Sequence, residues 1–466
     1  MKTLIRGGEV VNADGRRRAD VLVEGETVAA VGEHLAAAAD RVLDAAGCYV
    51  LPGGVDAHTH FELAFGGVVS SDDFVTGTIA ALHGGTTTVI DFAVPEPGAT
   101  LRSGYDAWRA KADGRSAVDY GLHVIVRDGS DARLAEMDGL VAEGVTSFKL
   151  FMAYPGVYML DDGAILRALQ RSRANGSLIT VHAENGPVIE ELRRQALAAG
   201  RTAPLDHALT RPPATEGEAV GRVLMLAELA DAPVYVVHLS AAEALARVRE
   251  ARARGVRAYA ETCPQYLFLD EDAYREPGFA GAKYVMSPPL RPRGHQDELW
   301  RGLADGALQV VGTDHCPFCM GDDFAGLGPQ KTRGIGDFTR IPNGVPGVET
   351  RLLLLHDGGV RAGRLPLERW VEVCCAAPAR IFGLYPRKGV VAAGADADLV
   401  IFDPQRRQSL AAGALHMRVD YSPYEDRTVT GAPRVVLARG EVAVADGKFV
   451  ARPGRGRYLR RGAPGV

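Results

Sequence analysis

Tryptophan, methionine and cysteine are scarce in this chain, with 3, 8 and 6 copies in 466 residues, and the shortage of cysteine does the most to narrow its class. Six cysteines are too few, in a chain this long, for the disulfide framework that staples small secreted domains. Cys316 and Cys319 make one CxxC pair, but no second pair or finger-spaced histidines accompany it, so a structural zinc knuckle is not expected. Apolar runs such as Leu352 to Leu355 fall far short of the roughly 20 residues that cross a bilayer. The opening MKTLIRGGEVVNADG has no apolar stretch of signal-peptide length. A soluble, cytoplasmic protein with no membrane partner is the expectation. Neither sign of charge dominates: 53 basic against 58 acidic side chains leave −5, which offers no broad cationic face and argues against a nucleic-acid partner.

What the chain does have is apolar material in blocks. Hydrophobic residues make up 47%, enough for a large core. Eight segments rich in β-branched residues recur between helical stretches: 55 to 60, 86 to 92, 120 to 126, 147 to 152, 178 to 184, 234 to 240, 257 to 264 and 308 to 315. Most are spaced by one crossover helix, and two longer gaps leave room for insertions. In SAAEALARVREARARG, Ala241, Leu245 and Val248 fall on one helical face, and Gly255 stands where a C-cap belongs. Eight such units predict an α/β fold, a (β/α)8 TIM barrel over residues 53–388. Residues 1–52 and 389–450 read instead as short alternating strands broken by glycine turns, which predicts a small composite β-sandwich built from both termini. Residues 451–466, which end in PGRGRYLRRGAPGV with four arginines among glycine and proline, read as a mobile tail or an arm onto a neighbouring subunit.

In such a barrel, catalytic groups come from the C-terminal ends of strands. Polar residues stand there: His58 and His60 on the first segment, Lys149 on the fourth, His182 on the fifth, His238 on the sixth and Asp314 on the eighth. A His-x-His pair puts both imidazoles on one side of the pleat, where both can reach one ion. Alone it is a weak sign, since histidines also serve as ordinary polar residues; five strand ends converging in one barrel point to a metal site. Lys149, in the apolar run SFKLFM, either snorkels its ammonium to water or, after addition of CO2, offers two carbamate oxygens to two metals.

The blocks HTH (58 to 60), FKLFMAY (148 to 154), TVHAEN (180 to 185), VVHLS (236 to 240) and GTDHCPF (312 to 318) resemble the cyclic amidohydrolases, and within them the dihydropyrimidinase and hydantoinase family. ETCPQYLFLD, YVMSPPLR, IPNGVPGVE, IFGLYPRKG and VDYSPYE extend the resemblance from about residue 50 to 425. It implies two divalent metals, zinc, with His58, His60, Lys149 and Asp314 on the more buried ion and carboxylated Lys149, His182 and His238 on the exposed one. It implies that Asp314 relays a proton from the attacking water to the leaving ring nitrogen, and that Tyr154 donates to the developing oxyanion. Backbone groups at Ser287 and Asn343 would grip the other amide of a cyclic diamide substrate, and the assembly would be a homotetramer.

After the histidines, Glu62, Leu63 and Ala64 replace the Asp-Met-Pro of many bacterial hydantoinases. Leu63, with Phe65, Phe151, Val157 and Tyr158, is expected to line the pocket for the exocyclic group. His83, His123 and His315 match no ligand position and are expected to be structural. Two other readings are weighed: an allantoinase or dihydroorotase, which would need added cationic or polar contacts, and a non-catalytic collapsin-response-mediator-like protein, which would have lost ligands that this chain keeps.

Overall fold

A computed structural model of the protein describes residues 1–35 and 38–465. Its centre is a parallel sheet of eight strands in sequential order: Gly54–Thr59, Thr86–Ala93, Asp119–Ile125, Ser147–Phe151, Leu178–His182, Val234–Val236, Ala258–Thr262 and Val310–Val311. Every expected strand segment overlaps one of them. A parallel bridge between Thr59 and His315 joins the last strand end to the first. Beside it, Thr313 donates to Asp56 from its backbone N–H (3.1 Å) and its hydroxyl (2.6 Å), so the ring closes.

The first three strands are buried at every position. That is the pattern of a sheet covered by helices outside and filled by side chains inside. The helix Asp162–Asn175 shows how the sequence sets a crossover. Asp161 caps its N-terminus by accepting from Ala164 N–H at 2.7 Å, Ala164, Ile165, Ala168, Leu169 and Ser172 form the buried stripe, and Gly176 ends it at φ 72°. Helix Ala242–Ala253 likewise buries Leu245 and Val248, and Gly255 follows at φ 95°. The two long gaps hold extra helices: Gly186–Ala198, Pro204–Leu209 and Pro213–Ala230 in one, and Pro264–Phe268 before Gly294–Asp305 in the other.

Both chain ends build the β domain. Its nine strands form one hydrogen-bonded sheet, in the order Lys448–Phe449, Glu441–Ala445, Thr428–Ala438, Leu399–Ser409, Tyr49–Pro52, Lys2–Asn12, Gly15–Glu24 and Thr27–Gly32, with Arg41–Asp44 also on Lys2–Asn12. Leu399–Ser409 pairs with Tyr49–Pro52 and so stitches the two chain ends together into the composite β domain expected of them. The sheet encloses its own apolar core, including Val21, Val50, Leu399 and Leu437. At Gly8 a Cβ would lie 2.6 Å from Val50 and 2.9 Å from Ala45, so only glycine lets these layers approach.

The final segment is docked on its own barrel, neither free nor extended. Tyr120 N–H donates to Arg457 carbonyl, Leu459 N–H to Tyr120 carbonyl, and Arg461 N–H to Gly144 carbonyl. Leu459 and Arg461 are buried, and the Arg461 guanidinium donates to Leu122 carbonyl. The glycines and arginines read as signs of mobility serve here as close-contact points and donors. Beside this segment a buried ion network joins barrel to sheet: Lys388 Nζ lies 2.7 Å from both Asp119 and Asp398, and Arg439 pairs with Asp119. Among the described residues no helix is long and apolar enough to cross a membrane.

Asp119 sits between two buried cations, so Asp119→Ala should lower unfolding stability by about 2–3 kcal/mol, since it takes one buried partner from each and leaves Lys388 to Asp396 and Asp398 and Arg439 to Glu26. Chemical denaturation measures this, and a loss under about 1 kcal/mol would show that the network does not hold the two parts together.

Candidate metal centre and active site

The six expected ligands meet at one end of the barrel. His58 stands on the first strand and His60 just past it, Lys149 on the fourth strand and His182 at the tip of the fifth, while His238 and Asp314 follow the sixth and eighth. Asp314 Oδ1 lies 3.1 Å from Nε2 of both His58 and His60. Nδ1 of His182 lies 2.9 Å from Nε2 of His238. The ligand atoms of His58, His238 and Asp314 all fall within 4.8 Å of one another. His238 (φ 38°) and Asp314 (φ 52°) hold left-handed backbone that non-glycine residues avoid, a cost of about 1–3 kcal/mol each that the surrounding fold must offset.

Two acids that sequence reasoning passed over set the directions of the rings. Glu261, on the seventh strand, pairs with His58 Nδ1 and also accepts from Tyr235 hydroxyl (2.8 Å) and His238 N–H (3.2 Å). Glu184 lies 2.9 Å from His182 Nε2. A carboxylate on one ring nitrogen presents the other as a lone pair to the centre of the site. The signal for Glu184 was its place two residues after His182, on the same side of the chain. For Glu261 it was an acid at the end of an otherwise apolar strand.

Burial dominates the electrostatics. It pushes His60 down to about 4 and His238 well below the usual histidine range, leaving neutral imidazoles that can donate lone pairs. Burial also opposes a proton on His58, but Glu261 and Asp314 carry it up to about 9. Burial would raise Asp314, yet His58 and His60 hold it well below the carboxylate range. Lys149 is 1% exposed, and among the described residues its amine has no hydrogen-bond or ion-pair partner. Burial drops it to about 7. Ring nitrogens of His60 and His238 are likewise buried without partners. Buried nitrogens without partners, beside the convergent ligand atoms of His58, His238 and Asp314, fit a divalent cation.

Beside this cluster lies a pocket of about 600 Å³. Leu63, Phe65, Phe151, Tyr154 and Tyr158 line it as expected, joined by Ile125 and Met286, which sequence reasoning did not single out. Val157 is corrected: it is 49% exposed and faces a separate surface groove, because the turn Tyr154–Tyr158 directs it outward. Tyr154 stands at φ 65° near Ser287 and Asn343, and Asn343 Nδ2 donates to Ser287 Oγ at 3.1 Å. Lys331, also unforeseen, is buried and donates to the carbonyls of Val285 (2.8 Å), Pro342 (2.9 Å) and Gly344 (2.8 Å). These carbonyls flank Ser287 and Asn343, so one amine ties both loops together.

The three remaining histidines stay outside the cluster. His123 is bonded to Ser147 Oγ (2.6 Å) and Ala57 carbonyl (3.0 Å), and His315 to Asp72 (3.1 Å) and Gly347 N–H (3.0 Å). His83 stacks on His416 with ring centres 3.3 Å apart and planes 9° apart, and the two rings form with Glu349 a separate group whose ligand atoms lie within 4.8 Å of one another.

Residues 49–443 match the amidohydrolase family. The chain is 54% identical to the D-hydantoinase of Streptomyces coelicolor, over 99% of this chain and 98% of that one. It is 48% identical to the D-hydantoinase of Geobacillus stearothermophilus, over 100% and 98%. Among solved structures, the dihydropyrimidinase of Brevibacillus agri NCHU1002 superposes with a TM-score of 0.97 at 48% identity, covering 99% of both chains. A closed barrel with a β domain made from both ends, a buried His/Asp/Lys cluster at its mouth and full-length likeness to these enzymes place the chain in the amidohydrolase family, as a cyclic amidohydrolase.

Proposed function

We propose that the protein hydrolyses hydantoins and dihydropyrimidines of the dihydrouracil type to N-carbamoyl amino acids, with D-5-arylhydantoins among its substrates. The observation that carries this reading is the juxtaposition of the unpartnered His/Asp/Lys cluster with a pocket that has a polar end at Tyr154, Ser287 and Asn343 and an aromatic wall at Phe65, Phe151 and Tyr158. The names of the relatives support the substrate class, and the aromatic wall supports an aryl substituent.

His58, His60, Lys149 and Asp314 would hold one divalent ion, and Lys149, His182 and His238 a second. Nitrogen and carboxylate donors suit zinc. When bound, the ions acidify water and polarise a carbonyl. Lys149 serves as the shared anionic ligand: a buried amine near 7 is substantially neutral at physiological pH, and its nitrogen can add CO2, releasing a proton and leaving a carbamate. Asp314 accepts a proton from the attacking water and delivers it to the ring nitrogen as the amide C–N bond breaks. Tyr154, kept protonated by burial, donates to the carbonyl oxygen as charge builds there. The loops at Ser287 and Asn343 hold the second amide of the ring through their backbone groups.

Two finer points belong to the same reading. All six cysteines are free thiols, which suits a reducing cytoplasm. Apolar side chains left exposed on successive helices, Leu197, Leu209, Met225 and Leu229, offer surface for assembly into a tetramer.

Metal analysis should find two ions per chain, and a chelator should abolish ring opening; less than one ion with no turnover of any cyclic diamide would end the proposal. Lys149→Ala should be inactive and regain activity with short carboxylic acids plus metal. In metal-free, CO2-stripped enzyme, reactivation by metal at a fixed concentration of dissolved CO2 should speed up as pH rises through about 7, because only the neutral amine reacts; a flat profile with no chemical rescue would remove the carbamate from the scheme. Tyr154→Phe should cut kcat by about 10²–10³-fold with little change in KM, and an unchanged kcat would exclude its role at the oxyanion. Glu261→Gln should weaken metal affinity by about 10–100-fold in a chelator competition, and an unaltered affinity would deny it the orienting role.

A further inference from the structure

Next to the catalytic pocket lies a second chamber, and the two share Phe65, Tyr154 and Asn343 among their lining residues. Its other side carries four guanidinium groups, from Arg193, Arg211, Arg333 and Arg340. Among the described residues only Arg193 of the four has a carboxylate partner, Glu190. Even so, Arg193 Nε is buried without a hydrogen-bond partner.

Arg211 is the decisive member. It is buried, with 5% exposure, and among the described residues no carboxylate lies within ion-pair distance of it. Its side-chain bonds go to His207, through the ring Nδ1 at 3.1 Å and the carbonyl at 3.4 Å. His207 is held neutral by burial, and its Nε2 lies 2.7 Å from Met286 carbonyl, so Nδ1 is free to accept. Arg291 makes the contrast: equally buried nearby, it is paired with Glu216 at 2.7 Å. Arg333 donates only to Gly67 carbonyl at 2.7 Å, and the Arg340 guanidinium has no partner among the described residues. In a chain of net charge −5, a recess with four guanidiniums and one carboxylate attracts anions, and guanidinium binds carboxylate in a fork of two hydrogen bonds.

We infer that this chamber is a carboxylate subsite of the enzyme, taking an acid group at the end of a substrate's exocyclic chain or the carboxylate that ring opening creates in the product. The inference rests on the hydantoin-opening reading above. It adds acid-tailed cyclic diamides to the aryl ones that the aromatic wall admits. Both chemistries meet at Tyr154, which lines the aromatic pocket and the cationic recess alike.

The test uses the metal-loaded enzyme and the variant Arg333→Gln/Arg340→Gln, which leaves Arg211 and the catalytic groups in place. Wild-type kcat/KM for hydantoin-5-propionic acid should exceed that for the matching amide by about tenfold at low salt, and the ratio should fall as salt is added. In the variant it should approach one, while turnover of unsubstituted hydantoin is unchanged. Inhibition by an N-carbamoyl amino acid tests the second source: a several-fold weaker product inhibition in the variant assigns the recess to the nascent carboxylate. Equal kcat/KM for acid and amide in wild type, together with unchanged product inhibition in the variant, would overturn the inference. Calorimetry with glutarate separates the two readings. If no hydantoin is opened yet glutarate binds and the variant weakens it several-fold, the recess stands and the proposed reaction falls; no measurable glutarate binding counts against the recess.

Discussion

Two carboxylates, Glu261 and Glu184, are drawn almost completely out of water and a third, Asp314, largely so, into a space walled by imidazoles, and that burial is the constraint on which the rest of the site depends. Buried negative charge is costly unless positive charge stands against it. The chain supplies little of that: among the described residues Lys149 has no hydrogen-bond or ion-pair partner, and His60 and His238 are driven towards neutrality by the same burial. With protons alone, the balance falls on His58, pushed up to about 9 between Glu261 and Asp314. Divalent cations satisfy the arrangement far better, because they answer the carboxylates and the free ring lone pairs at once. The left-handed backbone at His238 and Asp314 and the outer acids on the rings make sense as parts of a cage shaped around cations.

The same economy of groups governs the substrate side. Lys331 is as buried as Lys149 and is also pushed down to about 7, but it has three carbonyls to answer it. One lysine therefore acts as a structural knot between the Ser287 and Asn343 loops, while the other is left without a partner where an anion-forming reaction can use it. The difference lies in what surrounds each amine, since desolvation acts on both alike.

That contrast also explains what could be read in advance. The eight strands were legible because segments buried on both faces must be apolar along their length, and the metal-facing residues were legible because polar groups interrupt those runs at one end. His58, Lys149 and Asp314 announce themselves this way. Glu261 obeys the same rule and was passed over because its partners, His58 and Tyr235, are distant in sequence; only the closed barrel shows that it answers a ring. Lys331 lies in a loop with no periodicity to mark it as buried. Val157 failed for a local reason, since membership of an apolar stretch says nothing of which way a tight turn points each side chain. The final segment misled through composition: glycine and arginine suggest mobility in isolation, but here they supply close approach and donors for barrel carbonyls.

Placing chemistry and cohesion at opposite ends of the barrel lets each be built without compromising the other. The Asp119, Lys388 and Arg439 network and the docked final segment lie where the third strand begins, and the imidazole cage lies where the strands end. The strained backbone and uncompensated charge of the cage are tolerable because rigid strands anchored at the far end hold the ligands in place. The loops beyond the cage are then free to vary, and it is there that Phe65, Tyr154 and the nearby arginines can set which substituents are admitted without disturbing the groups that break the ring.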